Sequence, residues 1–235
     1  MVERHAAPTD DWLRDAERVG RRLREALAAS LSGVDAHLVM APRPRAGWRP
    51  AHVPADCRAA AALIFLYPHD GEVRLALTLR APSLIHHGGQ VSLPGGAVEP
   101  GESIEQAALR EAGEEIGLEP SQVDILGRLS PLHIPVSGYV LHPVVGLGRD
   151  RPSFRLDPRE VARLLEVPLR VLADPAIVRL RWRTHEGRAY EVPYFLVDGE
   201  QVWGATAMVL GELLVALGAP PVLPLPGHET AQERS

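Results

Sequence analysis

Three carboxylates, Glu111, Glu114 and Glu115, stand in the segment LREAGEEIGL at the i, i+3, i+4 spacing that puts side chains on one helix face, within about a 100° arc. Like charges this close raise one another's pKa. Such a group persists where a cation offsets it or where the face is fully solvated. The all-oxygen donor set suits a hard divalent ion in octahedral geometry, Mg2+ or Mn2+, and not zinc. For an isolated Glu-x-x-Glu-Glu the solvated face is the default, because charge runs on helices are common. The surrounding residues decide between the two.

Upstream the chain reads Gly96, five residues, Glu102, seven residues, Arg110-Glu111-Ala112, one residue, Glu114-Glu115, one residue, Gly117-Leu118. Seven fixed residue types, each with a usage of about 5 to 7%, reach such a register by chance on the order of once per million chains. The pattern also makes mechanical sense. Gly95-Gly96 lets backbone approach a metal or phosphate closely, and Pro100-Gly101 leads into a helix whose start carries Glu102 and Ser103 at the positive end of its dipole. An ideal wheel places Glu102 opposite Glu111, which makes Glu102 an organiser of the loop and not a principal ligand. Arg110 is placed to orient a neighbouring glutamate by charge-assisted hydrogen bonds.

This is the box pattern of the Nudix hydrolases, and the chain resembles that family. The resemblance implies hydrolysis of a nucleotide pyrophosphate with Mg2+ or Mn2+. It implies that Glu111, Glu114 and Glu115 hold the metal, with the Gly95 carbonyl as a further ligand, and that these glutamates and Arg110 form the catalytic set. Gly96, Glu102 and Gly117 are its structural members. The general base stays open among Glu114, Glu115 and a group in the loops 132–139 or 152–160, such as Glu160.

Just before the box, ALTLRAPSLIHHGGQVSLPGG is similar to the extended signature of the coenzyme A pyrophosphatase subgroup. Leu77, Thr78, Arg80, Gly89, Pro94, Gly95 and Gly96 fall in register, and His87 and Gln90 match residues frequent there. Ala76, Ala81, Ile85 and Leu93 depart from the pattern, with Ile85 standing where the subgroup has an arginine. Further segments, SGYVLHPVVG, EVPLRVLADP, VPYFLVDG and VWGATAMVL, follow in the subgroup's order, so the resemblance covers residues 59–217. It implies cleavage of coenzyme A to 3′,5′-ADP and 4′-phosphopantetheine, with Arg80, His87 and Gln90 contacting substrate and His86 a weaker candidate. The rivals are a related pyrophosphatase for ADP-ribose, NADH or dinucleoside polyphosphates, and a nucleotide sensor of the same fold that does not cut. His133, His142, Tyr194 and Trp203 are expected to be structural.

The elements that must position these residues follow from patterning. The run AAAALIFLY and the run EVRLALTLR, joined by turn residues 68–71, predict a hairpin. A helix is predicted over 103–116, closed by Gly117, then strands near 123–129 and 141–146. Asp157, Pro158 and Glu160 have the spacing of a capping box and predict a short helix over 158–165. Strands near 190–197 and 201–203 meet at an Asp198-Gly199 turn, and a final amphipathic helix, ATAMVLGELLVAL, stops at Gly218. Thr9 and Asp10 are candidate caps for an N-terminal helix running toward Gly33.

These elements give an α/β (α+β) fold; by resemblance it is the Nudix fold, a mixed β-sheet sandwiched between helices. The expected organisation is a helical extension over 1–40, a proline-rich linker over 41–58 pinned by Trp48, the catalytic domain over 59–218 and a disordered tail over 219–235.

The chain has 235 residues, 46% of them hydrophobic, enough for one full core. Its net charge of −5 gives no footprint for nucleic acid or an anionic membrane. The single cysteine, Cys57, excludes an internal disulfide and a cysteine zinc site. With no long apolar run and a charged N-terminus, the chain is expected to be cytoplasmic. A small nucleotide is the expected partner; a homodimer stays open, because an apolar interface patch reads like core in sequence.

Overall fold

The computed structural model describes residues 11–29, 31, 33–44, 57–84, 87–185 and 187–224. The candidate caps Thr9 and Asp10, the linker anchor Trp48, Ile85, His86 and the tail beyond residue 224 lie outside these residues.

The chain opens with a 3-10 turn, Asp11–Arg14, and helix α1, Ala16–Ala28. Asp15 caps α1 by accepting hydrogen bonds from the Glu17 and Arg18 N–H groups. A second short helix, α2, spans Val34–Val39. Strands β1 (Arg58–His69) and β2 (Glu72–Arg80) then form the predicted hairpin, with Asp70 and Gly71 both at positive φ in its two-residue turn.

β1 is the central strand of the main sheet. It pairs antiparallel with β2 and, over nine residues, parallel with β7 (Tyr139–Leu147). Its continuous apolar run is explained by burial on both faces. Ala61, Leu63, Phe65 and Tyr67 face one core, packed against helix α3 (Ile104–Ile116). Ala62, Ile64 and Leu66 face a larger core shared with α1 and with helix α5 (Gly204–Leu217). Along α5, expected to be amphipathic, an unbroken run from Ala207 to Leu214 is buried, because the helix is enclosed on all sides. No helix among the described residues is long and apolar enough to cross a membrane.

Between β2 and α3 the predicted loop contains two short strands, β3 (Val91–Ser92) and β4 (Gly95–Ala97), which pair with β2 and β1. Strands β5 (Asp124–Arg128) and β6 (Leu132–Ile134) both pair with β7.

The helix predicted over 158–165 is replaced by strand β8, Val161–Pro168, antiparallel to β2. The Asp157 carboxylate accepts from the Arg159 N–H and binds the Arg159 guanidinium, which makes a local turn and not a helix cap. Val161, Leu165 and Val167 are buried at strand spacing, and the pairing with β2 supplies backbone partners that a lone helical turn would lack.

After a short helix, α4 (Leu169–Leu172), come strands β9 (Val178–His185), β10 (Arg188–Val197) and β11 (Glu200–Trp203), which form a separate three-stranded antiparallel sheet. β10 and β11 meet at the predicted Asp198-Gly199 turn, and α5 ends at Gly218 in left-handed conformation. The result is a mixed sheet with α3 on one face and α1 and α5 on the other.

Candidate active site

α3 starts and stops where its sequence dictates. Ser103 accepts from the Gln106 N–H at 3.2 Å while the Gln106 side chain accepts from the Ser103 N–H at 2.8 Å. Gly117 ends the helix at φ 69°, and a side chain there would strike Arg155. The segment 155–161 is stitched onto this end: the Arg155 N–H donates to the Ile116 carbonyl at 2.9 Å and the Asp157 N–H to the Glu115 carbonyl at 3.0 Å. Those bonds use helix carbonyls that would otherwise lack partners, and they carry Glu160 toward the acidic face of α3.

Arg110 is the hub of that face. Its guanidinium grips Glu102 at 2.7 and 3.1 Å, donates to Glu111 at 2.9 Å and Glu114 at 3.3 Å, and reaches the Ala97 carbonyl at 3.0 Å. Glu102 also accepts from the Glu99 N–H, which closes the loop before the helix. These contacts tie Arg110 and Glu102 to the loop before α3 and to the acidic face of the helix.

The glycines set the distance of closest approach. A Cβ on Gly96 would lie 2.4 to 2.6 Å from the Glu111 carboxylate, and one on Gly95 would lie 2.4 Å from the Ala61 carbonyl of β1. Glycine at both positions therefore lets β4 pair with β1 while Glu111 rests on its backbone.

The three glutamates differ sharply in environment. Glu114 is 58% exposed at the rim, Glu111 is largely buried and Glu115 is 2% exposed. Burial pushes Glu115 up to about 7, with Glu160 and Glu111 adding to the rise while Arg80 and the Gly95 N–H act against it. Burial likewise raises Glu111, opposed by Arg110. Arg80 Nη1 stands 3.9 Å from Glu115 Oε1, whereas Glu115 Oε2 and Arg80 Nε are buried with no hydrogen-bond partner. A buried, unpartnered carboxylate oxygen is costly unless a cation or a proton meets it.

Among the described residues no three acidic, histidine or cysteine side chains are drawn together as a finished metal cage, because Arg110 lies between Glu111 and Glu114. The donors are nonetheless hard oxygens, and the orphaned Glu115 Oε2 gives a divalent ion one anchor. On that chemistry the residues fit Mg2+ or Mn2+.

The substrate candidates share one tight loop at the end of β2. The Arg80 N–H donates to the Gln90 carbonyl at 3.0 Å, the Gly89 N–H to the Arg80 carbonyl at 3.1 Å, and the His87 ring meets the Gln90 side chain at 3.2 Å. His87 adopts φ 60°, a conformation favourable mainly to glycine and asparagine.

His133 is buried, as is Tyr194, while Trp203 is half-buried and His142 is held below the usual histidine range by desolvation. Glu160, which the sequence offers only as one of several bases, comes close enough to act electrostatically on both Glu111 and Glu115. The stitching of 155–161 to α3 that brings it there has no local sequence signal.

A family model described as the NUDIX domain matches residues 58–187. The chain is 36% identical over 178 residues to a protein from Pectobacterium atrosepticum named uncharacterized Nudix hydrolase NudL, a match covering 74% of this chain and 88% of that one. It is 37% identical over 163 residues to the protein named Nudix hydrolase 15, mitochondrial, from Arabidopsis thaliana, covering 65% of this chain and 56% of that one. The crystal structure of RenU, a Nudix hydrolase from M. smegmatis, aligns at 24% identity with a TM-score of 0.46, over 71% of this chain and 89% of its own.

Proposed function

The chain belongs to the Nudix hydrolase family, and from that premise we propose that it hydrolyses the pyrophosphate bond of coenzyme A or its derivatives to 3′,5′-ADP and 4′-phosphopantetheine. The observation that carries the hydrolytic part is the buried face of α3, where Glu115 keeps an unpartnered oxygen beside Arg80 and Glu111 rests on Gly96. The coenzyme A part is supported by the in-register residues from Leu77 to Gly96, and by the loop that gathers three of them, Arg80, His87 and Gln90.

Mg2+ or Mn2+, held by Glu111, Glu114, Glu115 and the Gly95 carbonyl, would neutralise charge on the pyrophosphate and acidify a bound water. The protein's own residues do the remainder. Arg110 fixes Glu111 and Glu114 in one orientation. Arg80 offers a fixed cation at the mouth of the loop for a substrate phosphate. Glu160 makes no hydrogen bond to a described side chain, so its carboxylate is free to take the proton from the attacking water.

Initial rates on coenzyme A, ADP-ribose, NADH and diadenosine polyphosphates, with Mg2+ or Mn2+ and product identification, test this reading. Coenzyme A is expected to turn over fastest and to release 4′-phosphopantetheine. Faster hydrolysis of ADP-ribose or a dinucleotide would overturn the substrate assignment, and stoichiometric binding with no product would overturn hydrolysis itself. Glu115→Gln is expected to remove most turnover with the fold intact.

A further inference from the structure

On the α5 side of the main sheet, away from α3, a cleft of about 600 Å³ opens between the 3-10 turn, α1, α4 and the end of α5. Its size falls within the range of small-molecule sites. Trp12, Val171 and Ala173 give it partly exposed apolar walls, Arg22 and Arg170 line it as cations, and Asp174 lines it as the one anion among the lining residues.

Both guanidiniums have donors to spare. Arg22 lies over the Trp12 ring, 5.4 Å from its centre, and so close to Gly218 that no side chain would fit there. Yet among the described residues it has no hydrogen-bond or ion-pair partner. Arg170 spends its Nε on Glu72 at 2.7 Å, and among the described residues its two terminal nitrogens make no hydrogen bond. In a chain with net charge −5, two arginines against the single carboxylate of Asp174 leave the lining of this cleft locally positive.

We propose that this cleft is a second binding site, for a small organic anion with a carboxylate or phosphate head and an apolar body. Arg22 and Arg170 hold the head by charge-assisted hydrogen bonds, and Trp12, Val171 and Ala173 cover the body. The site is independent of the reaction proposed for α3.

The test uses the full-length protein and anilinonaphthalene sulfonate, whose fluorescence rises on transfer to an apolar site. The dye is titrated, then displaced with octanoate, phenyl phosphate, octanol and inorganic phosphate in turn. Octanoate or phenyl phosphate is expected to displace it, while octanol and inorganic phosphate, each lacking one half of the recognised chemistry, need about tenfold higher concentration or more. Arg22→Gln and Arg170→Gln are each expected to weaken dye binding about tenfold, and Glu115→Gln to leave it unchanged. Failure of the full chain to bind the dye overturns the proposal. So does octanol displacing as well as octanoate, a comparison that needs no variant, and so does wild-type binding by both folded arginine variants.

Discussion

With divalent metal removed, the protein should lose stability as pH rises from about 4.5 to about 7, and Glu115 should be the cause. Its carboxyl is buried and its pKa stands near 7, against 4.5 for the free side chain. Between those values the native state keeps a proton that the unfolded chain has released. Stability is therefore complete below the unfolded pKa and declines as pH rises through the folded one. At about 1.4 kcal/mol per pH unit the difference amounts to roughly 3 kcal/mol. For a chain of this size that is a fall in Tm of roughly 6 to 12 °C. Glu102, Glu105, Asp157 and Glu166 are held below the usual carboxylate range and lose their contribution only as pH falls through more acid values. His142, held low, gains stability with pH across part of the same window, and Glu111, raised by burial like Glu115, loses it, so the readout is wild type minus Glu115→Gln, in which both largely cancel. Thermal melts in EDTA from pH 4.5 to 7.5 should agree for the two proteins at the acid end and diverge at the alkaline end, where the wild type melts lower, and Mg2+ should raise Tm at pH 7.5 in the wild type alone. Parallel curves, or an equal Mg2+ response in both, would refute the placement of an uncompensated Glu115 at the metal anchor.

Other perturbations follow from single contacts. Gly96→Ala puts a Cβ within 2.4 to 2.6 Å of the Glu111 carboxylate, and steady-state kinetics should show turnover down about a hundredfold with Tm little changed. Arg110→Ala frees Glu102, Glu111 and Glu114 at once and should cost about 10- to 100-fold in activity or in the Mg2+ concentration needed for half-activation. The buried pair of His37 and Glu212, 2.9 Å apart, joins α2 to α5, and Glu212 also accepts from the Ser130 N–H. His37→Leu should destabilise by about 3 to 5 kcal/mol in urea melts, because Glu212 remains buried. Adding Glu212→Gln, which still accepts from Ser130, should restore at least about 1 kcal/mol. A double variant less stable than His37→Leu alone would contradict this.

How far the fold could be read depended on whether its causes are local. The β1–β2 hairpin has its turn written in Asp70 and Gly71, and α3 carries its own stop at Gly117, so sequence and structure agree there. β8 is the instructive failure. Asp157, Pro158 and Glu160 carry a real helix-start pattern, but the burial of Val161, Leu165 and Val167 at alternate positions and the open edge of β2 outweighed it. The three-stranded sheet was half legible, because β9 alternates arginines with apolar residues and lacks the turn signal that marks β10 and β11. α1 begins at Asp15, a cap that competes in sequence with several other acidic residues nearby.

The candidate site divides along the same line. The spacing of Glu111, Glu114 and Glu115 lies within one helix and was legible, whereas their unequal burial depends on which face of α3 meets β1 and on how 155–161 closes the helix end. Equal carboxylates by sequence thus become unequal by position. Arg110 is committed to Glu102, Glu111 and Glu114, which leaves Glu115 to be balanced by Arg80 at 3.9 Å, with the Gly95 N–H assisting. That separation is too long for a hydrogen bond, so the carboxylate is attracted without being satisfied. A site that is to release and rebind a divalent ion needs this intermediate condition. A bidentate arginine on Glu115 would compete with the ion for its oxygens, and no arginine at all would leave the empty site with a fully unbalanced buried charge. Arg80→Lys, which moves the charge and loses the fork, is therefore expected to change the Mg2+ dependence of turnover as well as KM. A change in KM alone would assign Arg80 to the substrate and not to Glu115.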